Sequence, residues 1–257
     1  GDWMPITIML NQGNDKFKEV THELGLKDTN GMWNTLIIED LDGNGHKDIV
    51  AGNAGLNLKW KASKEKPIKL FLDDFDENGQ PDPLLFYDFF GHYVPFASKD
   101  NLMSQLPYLK KRFLSYTAFS KINGIEDLTG VPEKDIHVQL EIYELRSMIY
   151  FNDGSSFKGV PLPKEAQVSS IEDILIETSE LNKQLIFVGN YFDYVNELGS
   201  SDANAGGVLT DFDNTEFNSY KSLGLPKDIS ARRLVKLSDN KLLVIANNSH
   251  ALIIDPQ

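Results

Sequence analysis

The chain has 257 residues, 41% of them hydrophobic, no cysteine and a formal net charge of −13. Such a length can bury a substantial core, as one large β domain or two smaller ones, and the missing cysteine excludes disulfides, thiolate zinc sites and cysteine nucleophiles. The acidic balance argues against a nucleic-acid partner, which needs clustered Lys and Arg, and no apolar run approaches the ~20 residues of a membrane span.

Gly1 reads as a protease scar and no signal-like segment opens the chain, so a leader or upstream region is expected to have been removed. Residues 6–21 read as strand, Asn/Gly turn and strand, with Phe17 pointing inward. The same shape returns at Met148-Ile-Tyr-Phe-Asn-Asp-Gly-Ser-Ser-Phe157 and, more loosely, at 208–217.

Between short β-branched runs at 35–39 and 49–53 lies Asp40-Leu-Asp-Gly-Asn-Gly-His-Lys-Asp48. Asp40, Asp42, Asn44 and Asp48 occupy loop positions 1, 3, 5 and 9. Gly45 stands at position 6, where the chain must turn sharply, so these side chains and the main-chain oxygen of His46 can converge on a hard cation. Asp74, Asp76, Asn78 and Asp82, with the main-chain oxygen of Gln80, repeat the pattern 34 residues later (74 − 40). Position 12 is Ala51 in one loop and Leu85 in the other, where an EF-hand has a bidentate Glu, and strands replace its helices. Either loop alone could be an acidic turn that binds nothing; two with one phasing point to two calcium sites. Loops with few charged ligands suit millimolar calcium, with dissociation constants on the order of 0.1–1 mM, and hence an extracytoplasmic location.

From Ser98 to Ile122 the apolar residues Leu102, Leu106, Leu109, Phe113, Tyr116 and Phe119 follow helical spacing, with Ser98 as N-cap and Pro107 starting a second helix. Lys110-Lys-Arg112 reads as a solvated helix face, or as a contact for an acidic glycan or phosphate. Ile49-Val-Ala-Gly-Asn53 is echoed by Ile186-Phe-Val-Gly-Asn190 and Val244-Ile-Ala-Asn247, each after another apolar strand. Aligned on Gly-Asn, the four ligand positions become Glu177, Ser179, Leu181 and Leu185, and the last copy has only the short turn 238–241, so no calcium is expected at either. Strand, loop, strand and hairpin in that order make a four-stranded repeat of the kind that propellers stack around an axis. The last three strands, 231–237, 242–247 and 250–255, could be completed by the strand pair at 6–21, closing one blade from both termini.

Thr35-Leu-Ile-Ile-Glu-Asp-Leu-Asp-Gly-Asn-Gly-His-Lys-Asp-Ile-Val-Ala-Gly-Asn53 resembles the FG-GAP or VCBS repeat of integrin-α-like β-propellers. Together with Gly55-Leu-Asn57, Lys61-Ala-Ser63, the second loop and Pro107-Tyr-Leu-Lys-Lys-Arg-Phe113, the chain is similar to the last part of the propeller in bacterial ASPIC/UnbV-type envelope proteins. The resemblance implies a mainly β fold: a β-propeller of four-stranded antiparallel blades, four or five units here, forming one domain or propeller segment over residues 1–257 with a helical insertion over about 98–135. It also implies calcium in the two loops, an extracytoplasmic location and a role in binding protein or carbohydrate.

No HExxH, GxSxG, P-loop or dinucleotide fingerprint is present, and His22, His46, His92, His137 and His250 are scattered, so a non-catalytic scaffold is expected. The competing reading is a polysaccharide lyase, with Tyr87, Tyr93 or Lys110 as base near an open calcium position. His92 beside Tyr87, Phe89, Phe90 and Tyr93 could line a sugar platform, or simply close a half-buried strand.

Overall fold

The computed structural model describes residues 1–178, 183–195, 197–213 and 215–255. The fold is mainly β, 42% strand and 11% helical, with several four-stranded antiparallel sheets. Among the described residues no helix is long and apolar enough to cross a membrane. The chain divides into two compact units, Gly1–Lys59 with Leu145–Gln257, and Trp60–Glu144.

The first unit holds three larger sheets. Its first sheet joins Thr35–Glu39, Asp48–Gly52, Met148–Asn152 and Phe157–Pro161, in that order across the sheet. The middle sheet is a meander of Ile171–Thr178, Lys183–Gly189, Gly207–Asp213 and Glu216–Ser222, and the last sheet joins Ser230–Lys236, Leu242–Asn247 and Leu252–Ile254. Strand alternation decides which sheets meet. Val50, Ile149 and Phe151 of the first sheet pack with Leu185 and Phe187 of the middle sheet. The intervening Ile186 and Val188 turn to the other side and pack with Ala231, Leu234, Leu242 and Val244 of the last sheet. Ile49, Ala51, Met148 and Tyr150 are covered by Ile6, Leu26 and Trp33. Burying each of these larger side chains contributes about 1.5–3 kcal/mol.

The first strands of the three sheets lie side by side: Thr35–Glu39 contacts Ile171–Thr178, which in turn contacts Ser230–Lys236. Asp173 ties them together, accepting from Leu234 N at 2.8 Å and from Thr35 Oγ1 at 3.5 Å. The Gly-Asn repeat is a structural pin. Asn53 Oδ1 accepts from Met32 N and Ala54 N, and Asn190 bonds Asn204 N, Asn204 O and Ile229 O.

The second and third strands of the first sheet are separated in sequence by the whole second unit, residues 60–144, whose helices lie between His92–Pro95 and Val138–Ile142. Two expectations need correction. The strand pair Met9–Gly13 and Lys16–Glu19 forms its own two-stranded sheet; among the described residues Leu252–Ile254 pairs only with Leu242–Asn247, and the last sheet is not completed by the N-terminal hairpin. Phe17 is exposed, on a hairpin whose two strands pair only with each other among the described residues. At the corresponding hairpin positions Phe217 is buried and Phe157 packs beside Tyr150.

The second unit contains Ile68–Asp73, Asp82–Phe89, His92–Pro95 and Val138–Ile142. Its last strand returns to pair with its first, a Greek-key order rather than the meander of a repeated blade. Phe71, Leu84 and Phe86 on one face are covered by Leu102, Met103, Leu106, Leu109, Phe113, Ile125 and Leu128. Leu102 and Met103, Leu109, and Ile125 and Leu128 come from the short helices Lys99–Gln105, Leu109–Arg112 and Ile125–Thr129, and Leu106 and Phe113 cap the C-terminal ends of the first two. A further short helix, Tyr116–Phe119, adds the partly buried Ala118 and Phe119. Ser98 caps the start of Lys99–Gln105, its side chain accepting from Asn101 N, and Ser115 caps the start of Tyr116–Phe119. Pro107 and these caps divide the periodic stretch. Tyr116 lies outside the core, exposed and bonded to Asp100, and Lys110, Lys111 and Arg112 form an exposed face.

Candidate metal centres

Both acidic loops sit between the paired first and second strands of a sheet, closed at the base by the pairs Glu39↔Asp48 and Asp73↔Asp82. In the first, Gly43 and Gly45 hold φ values of 78° and 89°; in the second, Glu77 and Gly79 hold 59° and 85° at the same two positions. This left-handed backbone favours glycine, and Glu77 adopts it at some cost.

The two loops share a hydrogen-bond frame. Asp40 accepts from Gly43 N at 2.8 Å and Gly45 N at 3.0 Å; Asp74 accepts from Asn78 N at 2.9 Å and Gly79 N at 2.8 Å. Asn44 Oδ1 accepts from His46 N, as Asn78 Oδ1 accepts from Gln80 N. Asp48 Oδ2 accepts from Leu41 N at 2.7 Å, and Asp82 Oδ2 from Phe75 N at 3.2 Å. In each loop three carboxylates, Asp40, Asp42 and Asp48 or Asp74, Asp76 and Asp82, offer oxygens within 4.8 Å of one another. Like charges at that spacing repel one another, and a cation among them would relieve the repulsion.

The surroundings of the loops differ. Asp48 is fully buried, and its Oδ1 accepts from Asn152 N at 2.8 Å. Asn44 Nδ2 donates to Asn152 O, Asn152 Nδ2 donates to Lys47 O, and Lys183 Nζ donates to the carbonyls of Asp40 and Leu41. The turn after Asn152 is held by Asp153, whose carboxyl is lowered to about 2 by hydrogen bonds from the Ser155 side chain and the Ser155 and Ser156 amides. The exposed His46 imidazole lies over that turn, so close to Gly154 that a Cβ there would meet Nε2 at 2.7 Å. In the second loop Asp82 Oδ1 accepts from Gln105 Nε2 at 3.2 Å. Asp76 Oδ1 is buried without a hydrogen-bond partner.

The donor set is all oxygen, carboxylates with amide carbonyls, which suits calcium or magnesium and not a soft metal. The unpartnered oxygen of Asp76 is where a cation would restore what burial removes. Calcium in the first loop would be held by Asp40, Asp42, Asn44, Asp48 and the carbonyl of His46. In the second, Asp74, Asp76, Asn78, Asp82 and the carbonyl of Gln80 would hold it.

No family model, curated protein or solved structure matches the chain. The site therefore rests on its own geometry. Of the degenerate third loop, Ser179 and Leu181 lie outside the described residues; Glu177 pairs with Lys236 at 2.9 Å, and Leu185 is buried in the core. Asn152, Lys183 and Gln105 were not foreseen as neighbours of the loops, since each arrives from elsewhere in the chain.

The residues named for a lyase base stand in different surroundings. Tyr93 is pushed up to about 12 by burial and by the charges of Asp88, Glu141 and Glu133, whereas a general base works best near the operating pH. Tyr87 is buried between Phe89 and Phe96, and Lys110 stands exposed on its helix. His92 is exposed at the end of its strand, next to a hairpin tip that presents Phe89 and the 89% exposed Phe90.

Proposed function

We propose that this chain is a calcium-stabilised, non-catalytic β-propeller or propeller segment that works outside the cytoplasm and binds a protein or carbohydrate. The observation that carries the reading is the pair of loops with one hydrogen-bond frame and one set of converging oxygens, which two accidental acidic turns would not share. The three stacked sheets with their first strands side by side support a blade-like arrangement. So do the exposed apolar residues on the outer faces of the stack, Leu36 and Ile38 on the first sheet and Val235, Ile245 and Ile253 on the last, since in a ring such faces meet further blades. The Greek-key sheet of the second unit is an addition to that plan.

Isothermal titration with calcium should give two sites per chain, with dissociation constants on the order of 0.1–1 mM or tighter. Assays of the calcium-loaded protein on acidic polysaccharides should show no turnover. Depolymerisation lost on substituting a Tyr or Lys near either loop would establish the lyase instead.

A further inference from the structure

We infer that the helical segment completes the second loop: Gln105 and Tyr108 act as positioning residues for its cation, which makes this loop the tighter of the two. The inference rests on the reading that both loops hold calcium. The loops share a frame but differ at the third position. In the first, both carboxylate oxygens of Asp42 are hydrogen-bonded, by Asn44 N and Asn44 Nδ2, each at 3.0 Å. In the second, the equivalent amide of Asn78 turns to Asp74, and Asp76 Oδ1 is left buried with no partner.

Tyr108 makes the same deficit from the other side. Its hydroxyl is also buried without a partner, and it lies within electrostatic reach of Asp82 and Asp76. Asp76 Oδ1 and the Tyr108 hydroxyl are two of the three such atoms found among the described residues, the remaining one being Trp60 Nε1. Buried donors and acceptors rarely go unmatched, and two orphans within electrostatic reach of one another are what a missing shared partner would leave. A cation satisfies the carboxylate. A water on that cation satisfies the phenol, as hard cations with few protein ligands keep water.

Gln105 supplies the remaining support. Its amide on Asp82 Oδ1 takes the place that Asn152 N holds on Asp48 in the first loop. Both residues follow from the same helical connection, whose Leu102, Leu106 and Leu109 are anchored against Phe71 and Phe86. Hydrogen-bonding partners of this outer kind change metal affinity by about 10–100-fold. Burial adds to the effect, because attraction between charges is stronger where water is excluded.

The test is a calcium titration of the full chain in five forms: parent, Asp42→Ala, Asp76→Ala, Tyr108→Phe and Gln105→Ala. The parent should show two steps separated by roughly 10-fold or more, with Asp76→Ala removing the tighter and Asp42→Ala the weaker. Tyr108→Phe keeps the ring in place and should weaken the tighter step about 10-fold while leaving the other unchanged. Gln105→Ala alters an exposed side chain, so it tests the same point should Tyr108→Phe fold poorly, and it should weaken the same step. A tighter step unchanged in both variants, or lost with Asp42→Ala in place of Asp76→Ala, overturns the inference while leaving calcium binding intact. A parent that binds no calcium overturns the proposed function, and this inference with it.

Discussion

Asp48→Ala is expected to destabilise the first unit by about 4 kcal/mol and to lower its thermal midpoint by roughly 8–16 °C. Asp48 is fully buried and accepts from two backbone amides, Leu41 N and Asn152 N. Each buried amide left without its acceptor costs about 1–3 kcal/mol, and the loop loses a ligand as well. Asp42→Ala provides the comparison, because Asp42 is exposed and its bonds run only to Asn44 within the loop. In chelator, Asp48→Ala should keep most of its deficit, while Asp42→Ala should come close to the parent. A midpoint for Asp48→Ala within ~2 °C of the parent, where one or two lost bonds predict several degrees, would mean that Asp48 does not join the loop to the neighbouring strand.

Gly189→Ala should be similarly damaging for a different reason. An added Cβ would meet the carbonyl oxygen of Ser170 at 1.8 Å and its carbonyl carbon at 2.8 Å, both backbone atoms. Ser170 cannot withdraw, since it is buried, its carbonyl accepts from Asn190 N, and Ile171 beside it pairs with Gly189. Overpacking of this kind costs about 1–3 kcal/mol where side chains can shift, and the upper end or beyond applies where only backbone can. Gly13, with φ 77° and open space around it, is the control: its substitution by Ala carries only backbone strain of about 1–2 kcal/mol. Urea unfolding followed by circular dichroism should place the Gly189→Ala midpoint well below that of Gly13→Ala. Equal midpoints would contradict the close approach.

Both results bear on what the sequence could disclose. The loops were legible because their ligand spacing, their glycines and their β-branched flanks are all local, and the structure brings the named carboxylates of each loop together. Strands at 35–39 and 48–52 and the cap at Ser98 were legible for the same reason. Partnership across the chain was not. Nothing local in Met148–Asn152 says that it pairs with Asp48–Gly52 across the second unit, since alternation marks a strand without naming its neighbour. The return of Val138–Ile142 to Ile68–Asp73 was hidden in the same way, as was Gln105 beside the second loop. The Gly-Asn repeat was visible as a repeat, but its meaning, a close backbone approach followed by a buried amide pin, needed the neighbouring strands in place.

The central claim is that calcium stabilises this fold through both loops, and thermal unfolding with and without calcium tests it most directly. A cation that binds only the folded loop with a dissociation constant near ~0.1 mM adds about 2 kcal/mol per site at ~2 mM calcium. Raising the midpoint is therefore the expected result, by roughly 4–8 °C for the first unit and by about 8–16 °C or more for the smaller second unit, with Asp42→Ala removing the gain from the first and Asp76→Ala from the second. A parent midpoint that is the same in calcium and in chelator would leave the loops as acidic turns and contradict the account.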